Sequence, residues 1–233
     1  FSALNISDHI EYIKERASVF GNPSQIEYEN LVKKAIQFCH ENQGKVVISR
    51  IKRVFIEKEI EVLTLFQEIC KQYNHSFNYL SYIPGKGMWL GASPEQLLVG
   101  ELPSFQIASL AGSRQASENH PWTSKEYMEQ QLVTETIEKV LNDLKLNYEK
   151  SEVLTVQAGN VEHLKTEFNT LDCFEPLALA NSLHPTPAIS GLPVMSALTF
   201  IDDNEFNKRD LYAGIVGFFD EVKYDLYVNL RSA

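Results

Sequence analysis

Cysteine is scarce in these 233 residues: Cys39, Cys70 and Cys173 are odd in number, and none sits at the short intervals that bind metal. That excludes a disulfide framework and a cysteine metal centre, and leads us to expect a reduced, cytoplasmic setting. Positive charge is also short. Lys and Arg total 21 against 31 Asp and Glu, giving a net charge of −10 and a pI near 5.1. A nucleic-acid partner, which asks for a basic face, is therefore not expected. No apolar run approaches the roughly 20 residues of a membrane helix, so neither a membrane partner nor a signal peptide is expected. Repeats, low-complexity tracts and Pro/Gly/Ser-rich linkers are missing, so a single domain over 1–233 is the expectation. Phe1 is not an initiator and 225–233 stops inside a strand-like run, so the sequence reads as cut at both ends. Nothing sets an oligomeric state; a monomer is expected.

What is present is a core. At 44% hydrophobic residues the chain can bury a sizeable one. Tyr28, Leu31, Val32, Ala35, Ile36 and Cys39 form a helical stripe over 25–42, with Ser24 as candidate N-cap. The β-branched run from Lys45 to Val54 reads as a strand. A second helix spans 60–73, and short strands follow near 76–83, 87–92, 96–100 and 104–111. A long helix covers 125–147. Strands near 152–156 and 162–170, helices near 176–182 and 193–203, and strands near 211–219 and 223–231 complete the pattern. Runs of strands with helices between some of them predict an α+β fold with mainly antiparallel sheet.

The most shaped segment is His184-Pro185-Thr186-Pro187-Ala188-Ile189-Ser190-Gly191-Leu192-Pro193. Its prolines forbid a helix or a central strand, so it is a loop, either a rigid ligand-binding one or a plain connection. The glycine-spaced run Leu211 to Asp220 reads as a buried strand that something approaches closely. Lys45 opens its strand beside valine and isoleucine. It is either a partly desolvated base or a strand-end lysine reaching water. Glu95, after Pro94 and an apolar strand containing Trp89, is either an acid with a raised pKa or an exposed glutamate starting a helix.

The long helix carries the apolar stripe Leu132, Val133, Ile137, Val140, Leu141 and Leu144, and stepping back from Val133 by four and then three places Glu129 and Glu126 on the same buried face. Two such carboxylates suit Mg²⁺, while Thr123-x-x-Glu126 is also a capping box. Gly112 and Ser113, at the end of a strand, offer backbone N–H groups to a carboxylate or form an ordinary turn. His163 alternates with apolar neighbours, as a structural histidine does. Arg231 is either a bidentate carboxylate partner or a surface arginine.

Six segments in order resemble the chorismate-utilising enzymes: Lys45 to Arg50, Gly91 to Glu95, Leu110 to Ser113, the Glu126/Glu129 helix, His184 to Pro193, and Tyr212 to Asp220. Within that family the resemblance is nearest to the members that form isochorismate. It implies a sandwich of two large, mainly antiparallel sheets with helices outside, and chorismate as the small-molecule partner. It also implies Lys45 as the base that activates water for ring position 2, and Glu95 as the acid for the departing hydroxyl at position 4. Glu129 would be a Mg²⁺ ligand with Glu126 beside it. Gly112, Ser113, His163, Ala188, Tyr212 and Arg231 would line the substrate site.

The amino-transferring members carry glutamine where Lys45 stands. Members that go on to eliminate pyruvate typically carry threonine where Ala188 stands. The resemblance therefore implies an isomerase that stops at isochorismate and serves menaquinone or siderophore synthesis. A salicylate-forming enzyme and a truncated, inactive binding module are the alternatives. Gln130 and Val194 depart from the family pattern, and a later helix implied to supply further metal carboxylates lies past Ala233.

Overall fold

The computed structural model describes residues 23–52, 54, 60–117, 120–158 and 161–233. In chain order the elements are α1 (Gln25–Asn42), β1 (Lys45–Val46), α2 (Val62–Gln72), β2 (Phe77–Ile83), β3 (Gly87–Ser93), β4 (Gln96–Glu101), β5 (Ser104–Gln115), α3 (Ser124–Asp143), β6 (Tyr148–Lys150), β7 (Leu154–Ala158), β8 (Val161–Thr170), α4 (Pro176–Leu183), β9 (Gly191–Leu192), α5 (Val194–Asn204), β10 (Ile215–Phe219) and β11 (Lys223–Val228).

Seven strands make one antiparallel sheet, ordered β10-β11-β4-β5-β8-β6 with β7 also on β8. Two further pairs, β2–β3 and β1–β9, stand outside it. Residues 231–233 run beside β3, through a Gly91–Ser232 bridge and a reciprocal pair of Leu90–Ala233 bonds at 2.8 Å. The α+β class and the antiparallel pairing agree with the sequence.

The core lies between the large sheet and the helices on it. Leu98, Phe105, Ile107, Phe168, Leu226 and Val228 point from the strands toward Ile137 and Leu141 of α3 and Leu179 of α4. Helix α1 starts where its cap predicts: Ser24 and Glu27 close a reciprocal capping box. Thr123 and Glu126 do the same for α3.

Three expectations fail locally. The strand expected over 45–54 pairs only at Lys45–Val46, because its partner β9 is itself two residues long. Val47 adds one bond to Ser190, and Ser49 bonds to a side chain instead. The run after Leu211 is an edge strand, not a buried one; Ile215, Phe218 and Phe219 are exposed. Its close approach is real, since a Cβ on Gly217 would lie 2.2 Å from the Asp225 carbonyl. Finally, the buried face of α3 is Gln130, Thr134, Ile137 and Leu141, while Leu132 and Leu144 are exposed.

That face turns polar because it meets a β-bulge. Between Ala111 and Ser113 the β5–β8 register slips, with Gly112 at φ +64°. The slip frees the Ala111 N–H, which donates to Gln130 Oε1 at 2.9 Å, while Gln130 Nε2 donates to the Ser109 carbonyl and Thr166 Oγ1. A buried amide thus completes the interrupted ladder.

Candidate active site

Glu95 sits in the two-residue link between β3 and β4. Its carbonyl accepts the Val228 N–H at 2.9 Å, so the large sheet fixes its backbone. Burial pushes its carboxyl above the ordinary glutamate value. The Thr186 hydroxyl, which donates to Oε1 at 3.0 Å, and the charge of Lys45 both oppose that rise. Lys45 is therefore within electrostatic reach of Glu95, although fifty positions separate them in the chain. The proline-flanked turn supplies the hydrogen bond that closes over the acid. Sequence reasoning placed the loop here but missed Thr186 as its functional side chain; its seat between Pro185 and Pro187 was the available signal. Lys45 itself is exposed, which matches the strand-end lysine reaching water rather than the desolvated one.

Tyr212 is the third member. Burial raises its phenol pKa, with the Glu95 charge adding to the rise. Its turn is tied down from three sides. His184 Nε2 donates to the Ala213 carbonyl at 2.7 Å, Asn229 Nδ2 donates to the Leu211 carbonyl at 2.8 Å, and the Ala213 N–H donates to the Asn229 carbonyl. Asn229 Oδ1 in turn accepts from Tyr79.

Tyr212 and Arg231 line a cavity of about 520 Å³. Arg50, Lys52, Lys86, Lys208 and Arg209 line it too, against the single acidic residue Asp210, which pairs with Lys86. In a chain of net charge −10 this is a local reversal of sign, and it favours an anion. Lys45 and Glu95 are not on its wall; Tyr212 joins the two regions. Arg231 is exposed at φ +50°, and its carbonyl accepts the Ala92 N–H. Ala188 is half-buried in the turn.

A second group forms where β5 meets β8. Ser113 Oγ lies 2.8 Å from His163 Nδ1, directly across the ladder. The bulge brings them together. Without it Ser113 would share the core-facing side of Ala111; the slip turns it to the other face, with His163. Burial holds the His163 pKa below its ordinary value, so the ring is neutral at pH 7.

Gly112 belongs to a third group. A Cβ there would come within 3.0 Å of Glu126 Cβ, so the glycine lets α3 approach the bulge. Glu126 Oε2 accepts from the Thr123 N–H at 2.9 Å and from the Thr123 hydroxyl. Those bonds hold its carboxyl below the usual range. Glu129 is exposed, which corrects its expected place on the buried face; Gln130, one residue on, takes that place. Among the described residues no three His, Cys, Asp or Glu side chains converge as a metal cage. The pair nonetheless fits Mg²⁺, which keeps several waters and takes one or two carboxylates; Glu129 and the second oxygen of Glu126 can supply them.

The chain belongs to the chorismate binding enzyme family, whose sequence pattern matches residues 7–233. Isochorismate synthase EntC from Escherichia coli is 32% identical over 229 residues, covering 91% of this chain and 58% of EntC. DhbC from Bacillus anthracis, a candidate 2,3-dihydroxybenzoate-specific isochorismate synthase, superposes with a TM-score of 0.77 at 24% identity, covering 91% of this chain and 62% of its own. MenF, the menaquinone-specific isochorismate synthase from Escherichia coli, superposes at 0.72 and 22% identity, covering 91% and 52%. At those identities the two structures speak for the fold, and the chain spans less than two thirds of each relative. No helix among the described residues is long and apolar enough to cross a membrane.

Proposed function

We propose that this protein is an Mg²⁺-dependent isochorismate synthase, an isomerase that adds water at ring position 2 of chorismate and expels the hydroxyl at position 4. The observation that carries this reading is the buried, protonation-prone carboxyl of Glu95 within reach of the Lys45 amine. Water is a poor nucleophile and hydroxide a poor leaving group, so the reaction wants a base on one side of the ring and an acid on the other. Lys45 takes the proton from the attacking water. Glu95, whose burial favours the protonated form and which Thr186 orients, donates its proton to the departing hydroxyl as the ring double bonds shift. One water enters and one leaves, so the product is an isomer. Proton return from Lys45 to Glu95 resets the pair.

Lys45 is exposed, so solvent water can reach its amine. Tyr212, Arg231 and the basic cavity receive the substrate's carboxylates; Gly112, Ser113, neutral His163 and Ala188 stand off that cavity's wall and are assigned to the substrate by the family resemblance alone. Glu129 and Glu126 would hold Mg²⁺, which when bound supplies positive charge for the ring carboxylate. A lysine at position 45 favours water over ammonia as nucleophile. The small Ala188 side chain favours stopping before pyruvate is lost.

The test is incubation of the full-length protein with chorismate and Mg²⁺, with the products separated and pyruvate assayed. Isochorismate without pyruvate is the expected result. Pyruvate with salicylate would replace the reading by salicylate synthesis, and no turnover would leave a binding module. The menaquinone-specific relative MenF supports menaquinone supply as one destination for the product, and siderophore supply is the other that the family resemblance implies.

A further inference from the structure

Glu205 and Arg209 form the most enclosed ion pair among the described residues, with the carboxylate side chain only 3% exposed and Arg209 16%. Arg209 Nε and Nη2 bond the two carboxylate oxygens at 3.0 and 2.7 Å. Burying two charges is expensive, and such pairs are a weak source of stability, so what this one holds matters more than its own strength.

Its remaining bonds answer that. Arg209 Nη2 donates to the Val47 carbonyl at 2.6 Å, and Nη1 donates to the Ile189 carbonyl at 2.5 Å. Glu205 accepts the Ser49 N–H at 2.7 Å and the Ser49 hydroxyl at 3.1 Å. The guanidinium also lies 5.8 Å from the centre of the Tyr212 ring. One ion pair thus ties down the segment two residues past Lys45, the turn three residues past Thr186, and Tyr212. The β1 strand needs this help, because its own ladder ends at Val46.

We infer that Glu205 and Arg209 are positioning residues for the acid–base step: their fork sets how far the Lys45 segment stands from the Thr186 turn that orients Glu95. The inference rests on the reading of Lys45 as base and Glu95 as acid. Arginine is required because only a planar, permanently charged fork serves two carbonyls and a carboxylate at once. A misplacement of about 1 Å in such a site can cost as much as 10²-fold in rate.

The test is a double-mutant cycle in the full-length protein, with steady-state rates and melting temperatures. Arg209→Lys is expected to lower kcat by roughly 10- to 100-fold while KM for chorismate stays within about threefold. In a Lys45→Ala background the same substitution is expected to cost little more, because there is no base left to place. A merely structural role would lower the melting temperature and give the same fold-loss in both backgrounds, and that result would overturn the inference. If Arg209→Lys does not fold, Ser49→Ala removes one bond of the hub. It is expected to lower kcat by about two- to fivefold with the same non-additivity, and an unchanged kcat would again overturn the inference. Wild-type turnover in Lys45→Ala alone would instead sink the assignment of the base, and the positioning role with it.

Discussion

The Lys45–Glu95 region and the Glu126–Glu129 region both present charged side chains, yet they are built in opposite ways. Around Glu95 the chain invests in enclosure: Thr186 on one oxygen, Tyr212 nearby, and the Glu205–Arg209 pair behind. At the start of α3 the carboxylates stand in solvent, and the only bonds on Glu126 are those of its helix cap. The difference fits the work proposed for each. A carboxylic acid keeps its proton near neutral pH only when its charged form is poorly solvated. A ligand for a hydrated cation must stay ionised and reachable.

If that contrast is right, mutations in the two regions should differ in kind. The largest effect is expected at the proposed acid–base pair. Lys45→Ala and Glu95→Gln should each lower kcat by about 10²-fold or more with the fold retained, as steady-state assays and circular dichroism will show. Glu129→Ala should act more mildly and through the cation. We expect the Mg²⁺ concentration for half-maximal activity to rise about tenfold, with kcat partly restored at saturating metal; an unchanged Mg²⁺ response removes Glu129 from the site.

A thermal measurement sharpens the comparison without relying on activity. The folded pKa of Glu95 lies above its unfolded value, so ionising it inside the fold costs stability. That cost is absent below the unfolded pKa and is complete once pH has risen past the folded one. The melting temperature of Glu95→Gln relative to wild type should therefore climb as pH rises from the ordinary glutamate pKa through the raised one of the folded state. The reverse sign holds for Glu126, whose folded pKa is lowered: its support of the helix start is present above the unfolded pKa and fades as pH falls. The smallest effect is expected from Thr123→Ala, about 1 kcal/mol in denaturant unfolding, for loss of the cap hydroxyl.

Much of this was legible in the residues because it is written locally. Ser24 with Glu27 and Thr123 with Glu126 announce two helix starts, and the short strands from Phe77 to Gln115 follow alternation and turns. The enclosed site was legible as separate pieces, Lys45, Glu95 and the proline-flanked turn, which the fold then brought together. What escaped depends on partners distant in sequence. The length of β1 is set by a two-residue β9, which no local propensity encodes. The face of α3 misled because leucines at 132 and 144 are exposed while Gln130 and Thr134 are buried, and only the bulge at Gly112 explains that inversion. Glu205 and Arg209 sit four apart, but Glu205 caps α5 and Arg209 follows in irregular chain, so helical spacing gave no warning of their contact.

The seam between Gly191 and Lys45 carries a separate implication. Gly191 adopts φ +127°, and a Cβ there would fall 2.0 Å from the Lys45 carbonyl; on the facing side, a Cβ on Gly44 would fall 2.1 Å from the Leu192 carbonyl. Main chain rests on main chain, with no side chain interposed as a spacer. Substitution in the surrounding layers can therefore proceed without changing this gap. Such insulation lets the sequence around the seam drift while the offset between the Lys45 and Gly191 segments stays fixed.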